Sequence, residues 1–195
     1  MVYTKRKDRT NIGRIKMKHK YQPTKYIRTV PDYPVAGVNF YDMNSLFASE
    51  MWGCIVEQMA SDMEYGSVFE HVTHIVGIES RGFVVGQALA SEMLKPFVMV
   101  RKAGSKYPGK LLTESYDTEY STDTLTLQEG ILGHTSRVLI ADDLIATGGS
   151  MLATRRLVEQ TGARVVGGTA VINLKYLNSR ELEKMHLVCG EDVLR

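Results

Sequence analysis

Cysteine, tryptophan and proline are all scarce in this chain of 195 residues, which contains two, one and five of them respectively. Cys54 and Cys189 are far apart and have no metal-type spacing, so the pattern favours two reduced thiols in a cytoplasmic protein over a disulfide scaffold. No apolar run approaches the ~20 residues that a membrane helix needs. The basic start is not followed by the apolar segment of a secretory signal, so we expect neither membrane insertion nor export.

Acidic residues are nearly missing from the first 28 positions, which contain ten basic side chains and only Asp8. The other 167 residues contain 14 basic and 21 acidic groups, so the even overall charge hides a basic start and an acidic body. Residues 1–25 have few large apolar side chains and no steady period, which predicts a basic, mobile arm. Residues 26–195 are predicted to form the folded domain, with enough apolar content for one sizeable core.

Short apolar runs alternate with helical patterns from His74 onwards. HIVGIES, PFVMVRK, RVLIADD and VVGGTAVINL are rich in Val and Ile, as buried strands are. GFVVGQALASEML and GGSMLATRRLVEQTG lie between them and have helical spacing. This alternation predicts an α/β fold with a central parallel sheet flanked by helices.

Two further segments complete the predicted organisation. A helix is expected after Asn44, a reasonable N-cap, because apolar residues from Leu46 to Met63 recur at helical spacing and are expected to face the core. Residues 103–122 are polar, contain glycine and are too long for an ordinary connection. Such a segment is typical of an active-site lid or of a disordered loop.

The strongest chemical signal is VLIADDLIATGGS, at residues 138–150. Its apolar run is expected to deliver Asp142 and Asp143 to the carboxyl end of a buried strand, and Thr147-Gly148-Gly149-Ser150 then begins a helix. Free backbone N–H groups and the helix dipole make such a helix start an anion site, and glycine lets the backbone approach a phosphate. The two acids stand where the hydroxyls of a ribose or the shell of a Mg²⁺ ion would lie if that phosphate were a ribose 5′-phosphate.

A second strand end, GIESRGF at residues 77–83, contains Arg81, whose guanidinium suits bidentate phosphate binding. Alone, this motif is weak and is compatible with an ordinary strand exit. The histidines follow no ligand spacing, which favours structural or solvent roles over metal binding.

Together these motifs resemble the type I phosphoribosyltransferase family, and most closely its adenine phosphoribosyltransferases. The acid-acid-TGG string resembles the family's phosphoribosyl pyrophosphate motif. RKAGSKYPG, ESYDTEYSTDTLTLQ, RTVPDYP with the later Phe40-Tyr41-Asp42, and INLKYLNSREL resemble other segments of that subfamily. The resemblance runs from about residue 26 to the end, in the same order. It implies the family's central parallel sheet, a small hood built from residues around 26–45 and the carboxyl-terminal part, and a flexible catalytic loop.

The resemblance also implies a role for each matching residue. The 5′-phosphate would be held by Ala146, Thr147, Gly148, Gly149 and Ser150, and the pyrophosphate would face Ser80, Arg81, Lys102 and Lys106. Asp142 and Asp143 would act on the ribose or metal side, with Mg²⁺ bound through pyrophosphate and water. Glu119 would be the loop acid near the reacting base, with Tyr120 closing beside it. The base would lie against Asn39, Phe40 and Leu174.

The implied reaction is purine salvage, in which adenine and 5-phosphoribosyl 1-pyrophosphate give AMP and pyrophosphate in a cytoplasmic homodimer. Asn39, Tyr41, Ala103, Ser105 and Asn173 depart from the subfamily pattern, so a different nucleobase is one alternative. Another is a regulator that senses phosphoribosyl pyrophosphate and binds nucleic acid through its basic arm. The arm has no helix-turn-helix pattern and the loop retains Glu119, so nucleic acid is not the expected partner.

Overall fold

The computed structural model describes residues 21–64, 71–104, 107–117 and 122–194. Most of the predicted basic arm, residues 1–20, lies outside them. The elements, in chain order, are β1 (Arg28–Val30), β2 (Phe40–Asp42), α1 (Met43–Phe47), α2 (Met51–Glu64), β3 (His74–Ile78), α3 (Arg81–Glu92), β4 (Phe97–Lys102), β5 (Leu111–Asp117), β6 (Thr122–Gln128), β7 (Arg137–Ile145), α4 (Gly149–Glu159), β8 (Arg164–Leu174) and β9 (Glu191–Val193). Short 3-10 turns occupy Pro23–Lys25, Lys175–Leu177 and Leu182–Lys184.

Within the described residues, seven strands form the main sheet in the order β5-β6-β4-β3-β7-β8-β9. The pairs β3–β4, β3–β7, β7–β8 and β8–β9 are parallel, whereas β6 runs antiparallel to both β4 and β5. The predicted α/β fold and its four Val- and Ile-rich strands are therefore confirmed. The parallel strands β3, β4, β7 and β8 all end at one edge of the sheet, at Ile78, Lys102, Ile145 and Leu174. The loops that follow these strands therefore lie close together.

The two faces of this sheet are covered by different helices, which explains why the central strands are apolar throughout. Ile75 and Leu139 pack with the buried residues of α2 and α3, whereas their neighbours Val76 and Ile140 pack with those of α4. Successive side chains of a strand point to opposite faces, so both faces must be apolar when both are covered.

The apolar residues between Leu46 and Met63 face the core as predicted, but the single helix expected there is interrupted. α1 begins after Asp42, whose side chain accepts a hydrogen bond from the N–H of Asn44 at 3.1 Å, and α2 starts anew at Met51. Asp42, rather than Asn44, is therefore the N-cap, because its carboxylate reaches a free N–H of the first turn. Met59 and Met63 lie on the core-facing side of α2 and are buried.

The expectation of a loop over residues 103–122 is wrong for residues 111–117, which form β5. This strand pairs with β6 over its full length, from Leu111 opposite Gln128 to Asp117 opposite Thr122. Glu114 accepts hydrogen bonds from Arg156 at 2.6 Å and from Gln160 at 3.0 Å, both on α4. The sequence did not reveal this strand because the carboxylate of Glu114, which points at α4, stands at a position where the alternating pattern of a strand would have an apolar side chain.

The first described residues pack on the last strand of the sheet. Pro23 is buried, and the hydroxyl of Thr24 lies 2.8 Å from a carboxylate oxygen of Glu191 in β9. The folded domain thus includes residues that were predicted to belong to the arm. The sequence does not reveal this packing, because a partner 167 positions away leaves no local signal. Among the described residues, no helix has both the length and the apolar character required to cross a membrane.

Candidate active site

Asp142 and Asp143 lie near the carboxyl end of β7, and both are buried. Oδ1 of Asp142 accepts a hydrogen bond from the N–H of Asp143 at 2.9 Å. The same oxygen lies against Gly82 at the start of α3, where a Cβ atom would come within 2.8 Å of it. The two carboxylates therefore sit beside the first turn of α3, at the edge of the sheet where the parallel strands end.

Burial alters the protonation of both acids. Burial raises the pKa of Asp142 well above its ordinary value of 3.8, and the charge of Asp143 raises it further. Burial also raises the pKa of Asp143, and the guanidinium of Arg81 opposes that rise. The charged form of this pair is thus disfavoured unless cations are close.

Arg81 supplies a cation at the first turn of α3 and links the acids to β2, which pairs with β1 in a separate two-stranded sheet. Its Nε lies 3.0 Å from Oδ2 of Asp143, an ion pair without the alignment of a hydrogen bond. The guanidinium also donates to the carbonyl oxygen of Tyr41 at 3.3 Å and stands 5.4 Å from the ring centre of Phe40. The side chain of Arg81 is 42% exposed, so its guanidinium remains accessible to an anion.

The turn after β7 forms the wall of a cavity of about 250 Å³. Gly148 has a φ of +87°, in the left-handed region, and α4 begins at the next residue. Because Gly148 provides no side-chain cap, the N–H groups of the first turn of α4 are not satisfied from that position. The cavity is lined by Ala146, Thr147, Gly148, Gly149 and Ser150, with Leu144 beside them and Tyr116 and Asp117 opposite.

Lys102, at the end of β4, contacts the hairpin formed by β5 and β6. Its Nζ lies 3.3 Å from Oδ2 of Asp123, and its backbone N–H donates to Glu79 at 2.7 Å. The hydroxyl of Tyr116 also contacts Asp123, at 3.5 Å. Burial, followed by the charges of Asp123 and Asp142, raises the pKa of Tyr116 to about 12, so this phenol stays neutral at physiological pH.

The predicted site residues divide into three groups. The structure brings Asp142, Asp143, Arg81 and Phe40 together. Residues 146–150 follow the two acids along the chain, in the turn after β7 and the start of α4. Leu174 ends β8 beside them, whereas Ser80 and Asn39 are exposed on loops. Lys106, Glu119 and Tyr120 lie outside the described residues.

Asn173, one of the departures from the subfamily pattern, has partners for its side-chain amide within the fold. It donates to Asp192 of β9 at 3.0 Å and accepts from Asn178 at 2.9 Å. This amide is therefore part of a structural network at the end of β8.

Sequence reasoning missed Asp117, which lines the cavity, and Asn178, which contacts the turn after β7. Tyr116, which also lines the cavity, could have been found from the period-two alternation of Leu112, Glu114 and Tyr116, whereas Asp117 is on the other face of β5, where that pattern does not identify it. Nothing local identifies Asn178, since its contact with Ala146 spans 32 positions.

Comparison with known proteins agrees with this geometry. The sequence pattern of the phosphoribosyl transferase domain matches residues 52–189. The adenine phosphoribosyltransferase of Natranaerobius thermophilus is 43% identical over 157 residues, which cover 80% of this chain and 89% of that protein. That of Brachyspira hyodysenteriae is 44% identical over 161 residues, covering 82% of this chain and 92% of that protein.

Solved structures give the same result. The crystal structure of adenine phosphoribosyltransferase from Thermoanaerobacter pseudethanolicus has a TM-score of 0.79 at 31% identity, covering 87% of this chain and 96% of that one. The Saccharomyces cerevisiae enzyme, complexed with adenine and an imino-altritol bisphosphate, has a TM-score of 0.76 at 32% identity, covering 85% and 94%. With its domain match and these relatives over most of its length, the chain belongs to the phosphoribosyltransferase family, among the adenine phosphoribosyltransferases.

Proposed function

We propose that this protein transfers the phosphoribosyl group of 5-phosphoribosyl 1-pyrophosphate to adenine, which gives AMP and pyrophosphate and salvages the purine. The proposal rests chiefly on one arrangement: residues 146–150 line a cavity directly after Asp142 and Asp143, and Arg81 lies at the same edge of the sheet. The adenine phosphoribosyltransferases to which the chain is similar support adenine as the base.

The substrate would lie along this edge of the sheet. Residues 146–150 would bind the 5′-phosphate through backbone N–H groups and the Thr147 and Ser150 hydroxyls. Asp142 and Asp143 would face the ribose. Arg81, Ser80, Lys102 and Lys106 would contact the pyrophosphate, and the base would bind beside Asn39, Phe40 and Leu174, beneath a hood formed by residues around 26–45 and the carboxyl-terminal part.

In the reaction, a ring nitrogen of adenine forms a bond to C1′ as the bond between C1′ and the pyrophosphate oxygen breaks. Pyrophosphate leaves with the electron pair, and the ring nitrogen loses its proton. Positive charge develops on the ribose and negative charge on the leaving group, so Arg81 and Lys102 act by stabilising the latter. Glu119 would accept or orient the proton of the base.

Mg²⁺ is the proposed cofactor, and the donor set fits a metal carried by the substrate. No group of three or more His, Cys, Asp or Glu side chains in the described ranges could hold a metal ion. Asp142 and Asp143 form an adjacent pair, and Oδ2 of Asp143 is buried without a hydrogen-bond partner. Mg²⁺ commonly binds one or two carboxylates together with waters and substrate phosphates. When bound, it would neutralise charge on the pyrophosphate.

Three further proposals concern the state of the protein. A homodimer rests on the family resemblance, and light scattering after gel filtration would measure its mass. A cytoplasmic location is supported by the low cysteine content of the sequence, in which Cys54 and Cys189 are far apart and have no metal-type spacing. A boundary between arm and domain, predicted near residue 25, is supported by the charge distribution of the sequence, and the packing of Pro23 and Thr24 on β9 supports a position before residue 23.

A base panel tests the proposed reaction. Adenine, hypoxanthine, guanine and xanthine are each supplied with phosphoribosyl pyrophosphate and Mg²⁺, and the release of pyrophosphate is measured. We expect turnover with adenine to exceed that with the other bases by at least about a hundredfold, because a site that hydrogen-bonds the 6-amino group rejects bases that have an oxygen at that position. Preference for another base would overturn adenine, and no turnover with any base would favour the sensing regulator.

Glu119→Ala, assayed with adenine, tests the loop acid. General acid–base groups contribute about a hundredfold or more to rate, so kcat should fall by at least that factor. A kcat close to that of the unmodified protein would remove Glu119 from this role.

A further inference from the structure

A segment far along the chain supports the turn that forms the cavity wall. This segment, residues 178–182, follows the 3-10 turn Lys175–Leu177 and ends at Leu182, the first residue of the next one; it is called the brace segment. Nδ2 of Asn178 donates to the carbonyl oxygen of Ala146 at 2.7 Å, and the backbone N–H of Ser179 donates to the carbonyl oxygen of Thr147 at 3.1 Å. Leu182 packs against Gly148, where a Cβ atom would come within 2.5 Å of its Cδ2.

These two hydrogen bonds determine where the N–H groups of the turn point. In a planar trans peptide the C=O and N–H bonds point in opposite directions. The carbonyls of Ala146 and Thr147 are directed at the brace segment, so the N–H groups of Thr147 and Gly148, which belong to the same peptides, are directed away from it. Successive N–H groups that point the same way beside a left-handed residue form an anion-binding concavity, and Gly148 has that conformation.

The side-chain orientation of Asn178 is set by its neighbours. Besides the oxygen of Ala146, its Nδ2 lies 2.9 Å from Oδ1 of Asn173 and 3.4 Å from the carbonyl oxygen of Leu174. All three neighbours are acceptors, so the nitrogen of this amide must face them. The same side chain thereby joins the phosphate turn to the end of β8, where the proposed base-binding residue Leu174 lies.

We propose that Asn178 is a positioning residue for the 5′-phosphate: by holding the Ala146 carbonyl, it directs the Thr147 N–H group into the anion site. This role rests on the proposed function, since it assigns the turn to the 5′-phosphate of the substrate. Asn178 itself touches the turn, not the reacting atoms. Its removal should therefore weaken binding of the phosphate end more than binding of the pyrophosphate end.

The test compares two probes that occupy different parts of the site. Ribose 5-phosphate carries the 5′-phosphate without pyrophosphate, and inorganic pyrophosphate carries the other end; each is titrated by calorimetry into the full-length protein and its variants. For Asn178→Ala we expect the Kd of ribose 5-phosphate to rise roughly tenfold, as for loss of a hydrogen bond to a charged group. The Kd of pyrophosphate should change less than about twofold, and the KM for phosphoribosyl pyrophosphate should rise with kcat nearly retained.

Glu183→Ala, an exposed substitution near the brace segment, is the matched control and should leave both dissociation constants unchanged. If Asn178→Ala does not fold, Asn178→Ser is used, because its hydroxyl is too short to replace the bond to Ala146. An unchanged Kd for ribose 5-phosphate, or equal weakening of both probes, would overturn the proposal. If the unmodified protein binds ribose 5-phosphate but transfers nothing to any base, the proposed function fails while the comparison of probes still decides the role of Asn178.

Discussion

The two ends of the proposed substrate site are built from different groups. At the turn of residues 146–150 the proposed donors are backbone N–H groups together with the Thr147 and Ser150 hydroxyls, and the carbonyls of Ala146 and Thr147 are held by residues 178 and 179. At the other end the groups are the side chains of Arg81 and Lys102, which are paired with Asp143 and Asp123. The backbone end is therefore formed before an anion arrives, whereas the cations at the other end must share or exchange carboxylate partners.

The difference matters for catalysis as well as for binding. Preorganised backbone donors require no rearrangement when an anion binds, so they suit a phosphate that stays in place during the reaction. Side-chain cations that can exchange one partner for another suit a leaving group that must be bound, stabilised and released. Substitutions at the turn should consequently act through geometry, and substitutions at the cations through charge.

The largest effect is expected for Gly148→Ala. A φ of +87° costs a residue with a Cβ atom about 1–2 kcal/mol, and here the new Cβ would also meet Cδ2 of Leu182 at 2.5 Å. Either the turn or the buried side chain of Leu182 must shift, and a misplacement of about 1 Å at a binding site costs roughly a hundredfold in kcat/KM. Steady-state kinetics and a thermal melt measure the two consequences.

Gly130→Ala is the matched control for this substitution. Gly130 has a φ of +85° and nothing within 4 Å of an added Cβ, so it carries the backbone cost without the clash. Its kcat/KM should stay within about twofold of the unmodified value because it lies in the turn after β6. Equal losses at the two glycines would show that backbone conformation, rather than the contact with Leu182, dominates.

A smaller and pH-dependent effect is expected for Asp142→Asn. Folding raises the pKa of Asp142 above 3.8, so its protonated form stabilises the folded state at low pH. That contribution is complete below the ordinary pKa and is lost as pH rises through the raised one. The amide imitates the neutral acid and can still accept from the N–H of Asp143, so at pH 8 the variant should be more stable by about 1 kcal/mol or more.

Urea denaturation at several pH values measures this difference in the free energy of unfolding. The advantage of Asp142→Asn should shrink as pH falls, and the exchange of the exposed Glu57 for glutamine is the matched control. A variant that is less stable than the unmodified protein at pH 8 would mean that the backbone N–H of Asp143 and the guanidinium of Arg81 make the ionised carboxylate favourable. Activity should nevertheless fall, since an amide cannot take the proposed role beside the ribose.

The smallest effect is expected for Asp123→Asn at the hairpin. Its carboxylate lies 3.3 Å from Nζ of Lys102, and this lysine side chain is 55% exposed, so the pair contributes less than about 1 kcal/mol to stability. The KM for phosphoribosyl pyrophosphate should change less than about threefold, because Lys102 keeps its charge. A tenfold change in either direction, measured by steady-state kinetics, would show that the pairing controls substrate binding.

Prediction from the sequence succeeded where local pattern and tertiary packing agree. Residues 138–150 combine a buried strand, two acids and a glycine-rich helix start, and each part has a local signature, so the strand, the turn and α4 were all expected. The same holds for the apolar strands around it. The N-cap of α1 at Asp42 and the strand β5 were not expected, because Asp42 and Glu114 act through particular hydrogen bonds rather than through apolar periodicity.

By itself, the sequence determined the class of fold, the family and the kinds of group that the site contains, because strand and helix periods and the acid-acid-TGG motif are properties of neighbouring residues. Only the tertiary structure decided how those groups are held. The ion pair of Arg81 with Asp143, the hairpin bound to α4 and the contact of Asn178 with Ala146 join positions far apart in the chain. Such contacts depend on the register and packing of whole elements, which local composition does not specify.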